Sequence, residues 1–314
     1  MCIYLGISAF FDNKLILAPL AGYSDAALRQ ICSQQGAGLC FTEMVSAKGL
    51  LYDSQRTASL LLIPPAQKVK AVQLFGSEPE IFAAVLEDSP LLAPFEIVDI
   101  NMGCPVHKIV KSGEGSALMK DLRRAGEIIT AVRKAAPGKL VTAKIRAGWD
   151  ANSINAVEAA KVLEGSGAQA VTVHARTRDQ FYAGECDYGL VARVRAAVKI
   201  PVIVSGGVVC EDSCRRIREL TGCSSVMIGR GALGTDLFAR LSGNTAYNTC
   251  PKTLFLTHLG LLREYYGDRY ALSNIRKFTP YYFRGLAGAR QVRSQVNTSD
   301  SIAGIEKIIA QVYP

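Results

Sequence analysis

The stretch "LVTAKIRAGWDANSINAVEAAKVLEGSGAQAVTVHAR", residues 140–176, decides the architecture. It begins and ends on short, mostly apolar runs rich in β-branched side chains, "LVTAKIR" from 140 and "AVTVHAR" from 170, which read as strands. Between them Ile154, Val157, Ala160 and Val162 with Leu163 recur at helical spacing, and the glycines that follow mark a helix end. Two nearly continuous apolar strands joined by an amphipathic helix make a parallel βαβ unit, covered on both faces.

The same alternation extends in both directions. "LILAPL" from 15, "GLCFTEM" from 38, "VKAVQLF" from 69 and "IVDINMG" from 97 precede it, and "PVIVSGG" from 201 and "SVMIGRG" from 225 follow. Eight such runs favour a closed (β/α)8 TIM barrel over an open doubly wound sheet. The pattern stops near residue 240. Beyond it "TLFLTHLGLLREYYG" and "NIRKFTPYYFRGLAG" read as amphipathic helices, so a barrel domain is expected over 1–240 and a small all-helical domain over 241–314.

Composition narrows the class. With 49% hydrophobic and 20% charged residues among 314, the chain has the make-up of a globular protein and lies far from disorder. No apolar run reaches the ~18 residues of a membrane span. The opening "MCIYLGISAFFDNK" has no basic residue before its apolar part and no small-residue cleavage site, so it reads poorly as a secretory signal. Nine irregularly spaced cysteines suit a reducing compartment, and a cytoplasmic protein is expected. Cys210, Cys214 and Cys223 lack a Cys-x-x-Cys pair or a neighbouring histidine, so no metal is expected there.

The formal charge of +9 is uneven. Residues 241–314 hold nine Lys or Arg against four acids, and between Arg269 and Ser299 there is no acid at all. In that segment Arg276, Lys277, Arg284, Arg290 and Arg293 alternate with Tyr270, Phe278, Tyr281, Tyr282 and Phe283. Cations for phosphates beside rings for bases suit RNA recognition by shape; aromatics at helical spacing equally suit a core, with the rings inside and the arginines outside.

Polar residues gather at the C-terminal ends of the runs, the rim where barrel enzymes build their sites: Gln73, Asn101, Cys104, Lys144, Arg146 and His174. The last two runs end in "VSGGV" and "MIGRGAL". Either could be a tight turn, but together they favour a phosphate cradle of backbone N–H groups, with Arg230 adding charge. A phosphate there leaves room for a ring over the mouth, where Lys144 would stabilise the anionic reduced form of a flavin. Singly, a strand-end lysine reads as a solvated charge, a lone histidine as structural, and Cys104 as a buried thiol. His107, three residues past Cys104 on a loop, is weak evidence for a catalytic dyad.

The segments "LAPLAGYSD", "VQLFG", "DINMGCPVHKIVKSGEGSALM", "AKIRAGW", "VHARTRDQFYAG", "VMIGRGALG" and "IRKFTPYYFRGLAGAR" span about residues 15 to 290, and through them the chain resembles the tRNA-dihydrouridine synthases, flavoenzymes with a barrel and a C-terminal helical domain. The block around Cys104 is the most diagnostic. The resemblance implies FMN as cofactor, NADPH as reductant and tRNA as partner. It implies that Cys104 protonates C5 of a uracil while reduced FMN delivers hydride to C6; a thiol with pKa near ~8.5 keeps its proton at neutral pH yet can yield it. By motif position Asn101, Arg146 and Tyr182 would hold the uracil, and Pro19, Leu20, Ala21, Gln73, Lys144, His174, Ser205, Gly206, Gly207, Gly229 and Arg230 would contact FMN.

The chain departs from the family pattern in places. "SGG" stands where the family usually has Asn-Gly-Asp, "HART" replaces "HGRT", and Phe278 occupies a common histidine position. A monomer is the expectation, although one chain does not fix the oligomeric state, the uridine position or the nicotinamide preference. Two other readings stay open here: a barrel flavoenzyme acting on a free pyrimidine, and an RNA-binding protein with a silent barrel.

Overall fold

The computed structural model describes residues 2–52, 55–247 and 250–312; Met1, Asp53, Ser54, Asn248, Thr249, Tyr313 and Pro314 lie outside the described residues. All eight apolar runs are strands: β1 (Leu15–Leu17), β2 (Leu39–Ser46), β3 (Lys70–Phe75), β4 (Ile97–Met102), β5 (Leu140–Arg146), β6 (Ala170–His174), β7 (Val202–Ser205) and β8 (Val226–Ile228). Each pairs in parallel with the next, and β8 pairs with β1, closing a (β/α)8 barrel.

The period-2 geometry of a strand sorts its residues into two cores. Leu17, Val72, Val98, Ile100, Val141, Ala143, Val171 and Val204 face outward under the surrounding helices. Ile16, Leu39, Phe41, Ala71, Ile97, Ala170, Ile203 and Met227 face inward and fill the lower barrel. Further up, the inward positions turn polar: Gln73, Asp99, Asn101, Thr142, Thr172, His174 and Ser205 are all buried. That change of character along β3 to β7 makes the upper end a site and the lower end a plug.

Sequence reading missed one element that matters for this division. Cys2–Phe11 is a helix, and its Ile7 and Phe11 join the inward cluster, closing the barrel from below. Apolar on nearly every side, the segment lacks the polar face that marks a surface helix in a sequence. A second correction concerns the helix of the opening stretch, which runs Ala156–Gly165. Ile154 lies before it, exposed, in an isolated bridge to Gly148, so only Val157, Ala160, Val162 and Leu163 of the expected stripe are helical.

Among the described residues the C-terminal region holds the α-helices Pro251–Tyr266, Asp268–Tyr282, Ala289–Thr298 and Ile302–Val312 after a short 3-10 turn at Thr245–Tyr247. The segment read as one helix from Asn274 ends as a helix at Tyr282, and Gly285 and Gly288 with positive φ carry the turn that follows. Phe278, Tyr282 and Phe283 are buried while Arg284, Arg290 and Arg293 are exposed, as expected; Arg276, Lys277, Tyr270 and Tyr281 are half-buried.

The region docks on the N-terminus of the helix Ala26–Gln34, whose Asp25 caps it by accepting from Leu28 N–H at 2.9 Å. Tyr266 Oη accepts from Ala26 N–H at 2.9 Å, Tyr23 meets Phe278 edge-on at 5.4 Å, and the buried His258 Nε2 lies 3.9 Å from Asp25 Oδ1. These contacts fix the helical region beside the β1–β2 side of the barrel mouth.

Candidate active site

A directed chain of hydrogen bonds crosses the upper barrel. Asp99 on β4, fully buried, accepts from Gln73 Nε2 of β3 at 2.7 Å and from Thr142 Oγ1 of β5 at 2.6 Å. Because an ionised carboxylate only accepts, it turns the Gln73 amide so that Oε1 faces Asn101, whose Nδ2 donates to it at 2.7 Å. Asn101 Oδ1 in turn accepts from the backbone N–H of Cys104 at 2.9 Å and of Gly103 at 3.2 Å. Both ends are fixed, by a carboxylate at one and backbone donors at the other, so every amide in the chain has one orientation. Burial pushes the Asp99 carboxyl up to about 6, against the pull of Gln73, Thr142 and nearby Lys144.

Lys144 pairs with Asn101 in register across β4 and β5 and is half-buried. Among the described residues its ammonium has no hydrogen-bond or ion-pair partner. Burial lowers its pKa to about 8, with the Arg146 charge adding to the effect and Asp99 opposing it. An unsatisfied cation at the mouth is the kind of group that a ligand completes.

Cys104 sits just past β4, partly exposed, in a loop held from three sides. Asn101 fixes its N–H; Ser116 donates to its carbonyl from both N–H, at 3.1 Å, and Oγ, at 2.9 Å. The neighbouring Gly115 has φ +60, and a Cβ there would stand 2.9 Å from the Cys104 carbonyl oxygen, so only glycine lets the loop close. Burial raises the thiol pKa, while the Val106 N–H, Arg146 and Lys144 pull it down. The thiol therefore keeps its proton at neutral pH. His107 opens the helix His107–Lys111, exposed, and none of the contacts that hold Cys104 involves it.

Arg146 is 2% exposed and ties two rim loops together: Nε donates to Gly103 O at 2.7 Å, and Nη1 donates to Thr177 O at 2.8 Å and Phe181 O at 2.7 Å. That leaves its Nη2 donors for a ligand. Tyr182, 48% exposed, lies with its ring 4.6 Å from the Arg230 guanidinium and 5.6 Å from that of Arg146. His174, between Arg146 and Ser205 in the strand register, is held neutral: burial lowers its pKa well below the usual imidazole value, and Lys144, Arg146, Arg176 and Arg230 add to it.

Beyond Ser205 the chain turns through Gly206 (φ +111) and Gly207 (φ +83). A Cβ on Gly206 would lie 2.9 Å from the His174 ring and 3.0 Å from Cys186 Sγ. Among the described residues the N–H groups of Gly206 and Gly207 have no partner, so the turn offers free donors at the rim. Leu20 packs toward Gly229, which brings the Pro19–Leu20–Ala21 turn against the end of β8.

The residues singled out from sequence gather at the C-terminal ends of the strands: Gln73, Asn101, Lys144, Arg146, His174 and Ser205 on β3 to β7, Cys104 just past β4, Gly206 and Gly207 just past β7, Pro19, Leu20 and Ala21 past β1, and Gly229 and Arg230 past β8. Tyr182, in the loop after β6, joins the two sides of this set, its ring lying against both Arg146 and Arg230. Sequence reading missed Asp99, Thr142 and Ser116. Asp99 carried a signal: a carboxylate inside the apolar run "IVDINM", two positions before Asn101 and so on the same face. Among the described residues no group of three or more His, Cys, Asp or Glu comes together to hold a metal, and no helix is long and apolar enough to cross a membrane.

A closed barrel whose upper end carries a proton-holding thiol, a lone cation and a glycine cradle defines a barrel-mouth enzyme site. Solved structures share the fold: morphinone reductase at 15% identity (TM-score 0.53, 77% of this chain and 88% of that one) and the old yellow enzyme from Trypanosoma cruzi at 13% (TM-score 0.52, 77% and 91%). Residues 16–310 match the model of the dihydrouridine synthase (Dus) family. The chain is 35% identical over 312 residues to tRNA-dihydrouridine synthase B of Pseudomonas aeruginosa, covering 95% of this chain and 93% of that protein. It is 33% identical to the probable tRNA-dihydrouridine synthase of Rickettsia conorii, covering 96% and 94%. The chain belongs to the dihydrouridine synthase family.

Proposed function

We propose that the protein reduces uridines in tRNA to 5,6-dihydrouridine, as an FMN enzyme that takes its electrons from NADPH. The observation that carries this reading is a protonated thiol at the barrel mouth, tethered through Asn101 to a relay that passes beside the unpaired Lys144. The residues fit FMN: the free N–H groups at Gly206 and Gly207 and the Arg230 charge suit its phosphate, and Lys144 suits the electron-rich edge of its ring. Held there by the Gly206–Gly207 turn, Arg230 and Lys144, FMN reduced by NADPH would supply the hydride for C6 of the base.

Cys104 holds the proton destined for C5, and solvent restores it afterwards. Asn101, with Oδ1 committed to the Cys104 loop, presents an N–H to a base carbonyl; Arg146 offers its Nη2 donors, and Tyr182 covers the base. His174, held neutral, donates or accepts at the ring without adding charge.

A uridine inside folded RNA has to be extruded to reach this opening. The helical region, proposed as the tRNA-binding domain over 241–314 beside a catalytic domain over 1–240, supplies the grip. Arg284, Arg290 and Arg293 line a cavity of about 280 Å³ between two of its helices, none with an acidic partner among the described residues. A free pyrimidine would need no such cations. A cytoplasmic monomer completes the reading.

The test is to purify wild type and Cys104→Ala. Both should be yellow and reducible by NADPH, and only the wild type should form dihydrouridine in unmodified tRNA. A colourless chain that takes up no FMN overturns the flavin reading; full turnover by Cys104→Ala overturns the proton donor.

A further inference from the structure

Phe181 has φ +50, a conformation that costs a bulky residue and that glycine would adopt freely. Its backbone is held there by two bonds: its N–H donates to Arg178 O at 3.1 Å, and its carbonyl accepts from the buried Arg146 at 2.7 Å. The effect is to stand the ring on the lip of the mouth, 43% exposed, next to Tyr182. Both bonds are made by the backbone and ask nothing of the side chain, so an exposed aromatic at a strained position calls for a reason of its own.

The surroundings extend the surface outward. The Arg178 guanidinium lies 5.7 Å from the Phe181 ring and 4.7 Å from that of Trp149, and Lys120 Nζ also lies 4.7 Å from the Trp149 ring. Rings and cations therefore alternate from the mouth toward the outside, the pattern on which single-stranded nucleic acid lies. In the closed strand order these loops, after β5 and β6, face the β1–β2 side where the helical region docks. A polynucleotide held by the helical region and spanning the opening reaches this lip.

We propose that Phe181 is the stacking platform for the nucleotide that flanks the target uridine. Extruding one base deprives its neighbour of a stacking face, and an aromatic ring at the edge of the pocket restores one. The inference rests on the proposed reduction of tRNA and adds a subsite to it.

The experiment compares FMN-loaded wild type, Phe181→Gly and Phe181→Trp for thermal midpoint, affinity for an unmodified tRNA transcript, and dihydrouridine formation. Phe181→Gly should hold its midpoint at or above wild type, because the backbone strain is relieved, while losing about five- to hundredfold in tRNA affinity and KM. Phe181→Trp should recover most of the loss. Wild-type affinity in Phe181→Gly overturns the platform and leaves the tRNA reading standing. A fall in midpoint together with affinity, not rescued by Trp, makes the residue structural and also overturns it. A wild type that neither binds nor reduces tRNA removes both readings.

Discussion

Asp99 and Gln73 face each other across β3 and β4 at 2.7 Å, a carboxylate and an amide sealed in the upper barrel with Thr142 as the carboxylate's second donor. Removing the carboxylate in Asp99→Leu strands two buried donors, at a cost of about 1–3 kcal/mol each. Asp99→Asn keeps an acceptor toward Gln73 and turns its amide toward the Thr142 hydroxyl, so it should lose much less. The sign of the pH effect follows from the carboxyl being pushed up to about 6 by burial. Between the ordinary aspartate value and about 6 the folded state binds more protons than the unfolded one, so the stability contributed here falls as pH rises through that window. Urea denaturation at pH 4 and 7 should show wild type losing up to about 3 kcal/mol relative to Asp99→Asn; an equal difference at both pH values would sink the idea.

Lys144 runs the other way. Burial lowers its pKa to about 8, so below that pH the flavin-free fold carries a charge that it solvates poorly. Above about 8 the folded state gives up the proton while the unfolded chain keeps it up to the usual lysine range, and stability rises with pH. Lys144→Met should stabilise the flavin-free protein at pH 7 by about 2 kcal/mol and erase that rise. The same change should slow flavin reduction, measured by stopped-flow absorbance. A variant less stable than wild type at pH 7 contradicts this account.

Gly206 tests the cradle. An alanine there meets the His174 ring and Cys186 Sγ at about 3 Å while the backbone keeps φ +111. Gly206→Ala should weaken FMN binding at least about tenfold, read by fluorescence titration, because the turn must open to admit the methyl group.

The arginine-lined cavity predicts a salt signature. If Arg284, Arg290 and Arg293 each neutralise a phosphate, changing all three to Ala should flatten the slope of log affinity for tRNA against log salt by about 2 to 3. Flavin content should not change. An unaltered slope places the RNA elsewhere.

The strands were readable because a buried parallel strand leaves a local mark, a short apolar run followed by glycine or a polar residue, and each of the eight runs carried it. Cys104 and Asn101 were readable through their motif. The bonds that organise them were not. Arg146 reaches carbonyls 31 and 35 residues away at Thr177 and Phe181, and such a partner has no requirement on its own side chain that a sequence would display. Asp99 looked like an anomaly in an apolar run until β3 and β5 supplied its donors. The left-handed backbone at Phe181 was hidden for a similar reason, since nothing in "RDQFYAG" separates it from an ordinary turn. The helix Cys2–Phe11 escaped because its only strong signal is apolarity, without the amphipathic period by which the other helices were read.

That helix shapes the order of events. With Phe11 and Ile7 stopping the lower end, the barrel is a thimble, and everything that visits its floor comes and goes over one brim. On the function proposed above, nicotinamide and nucleobase would have to share that brim in turn, and a polynucleotide lying across it would hold the electron donor off for as long as it stayed.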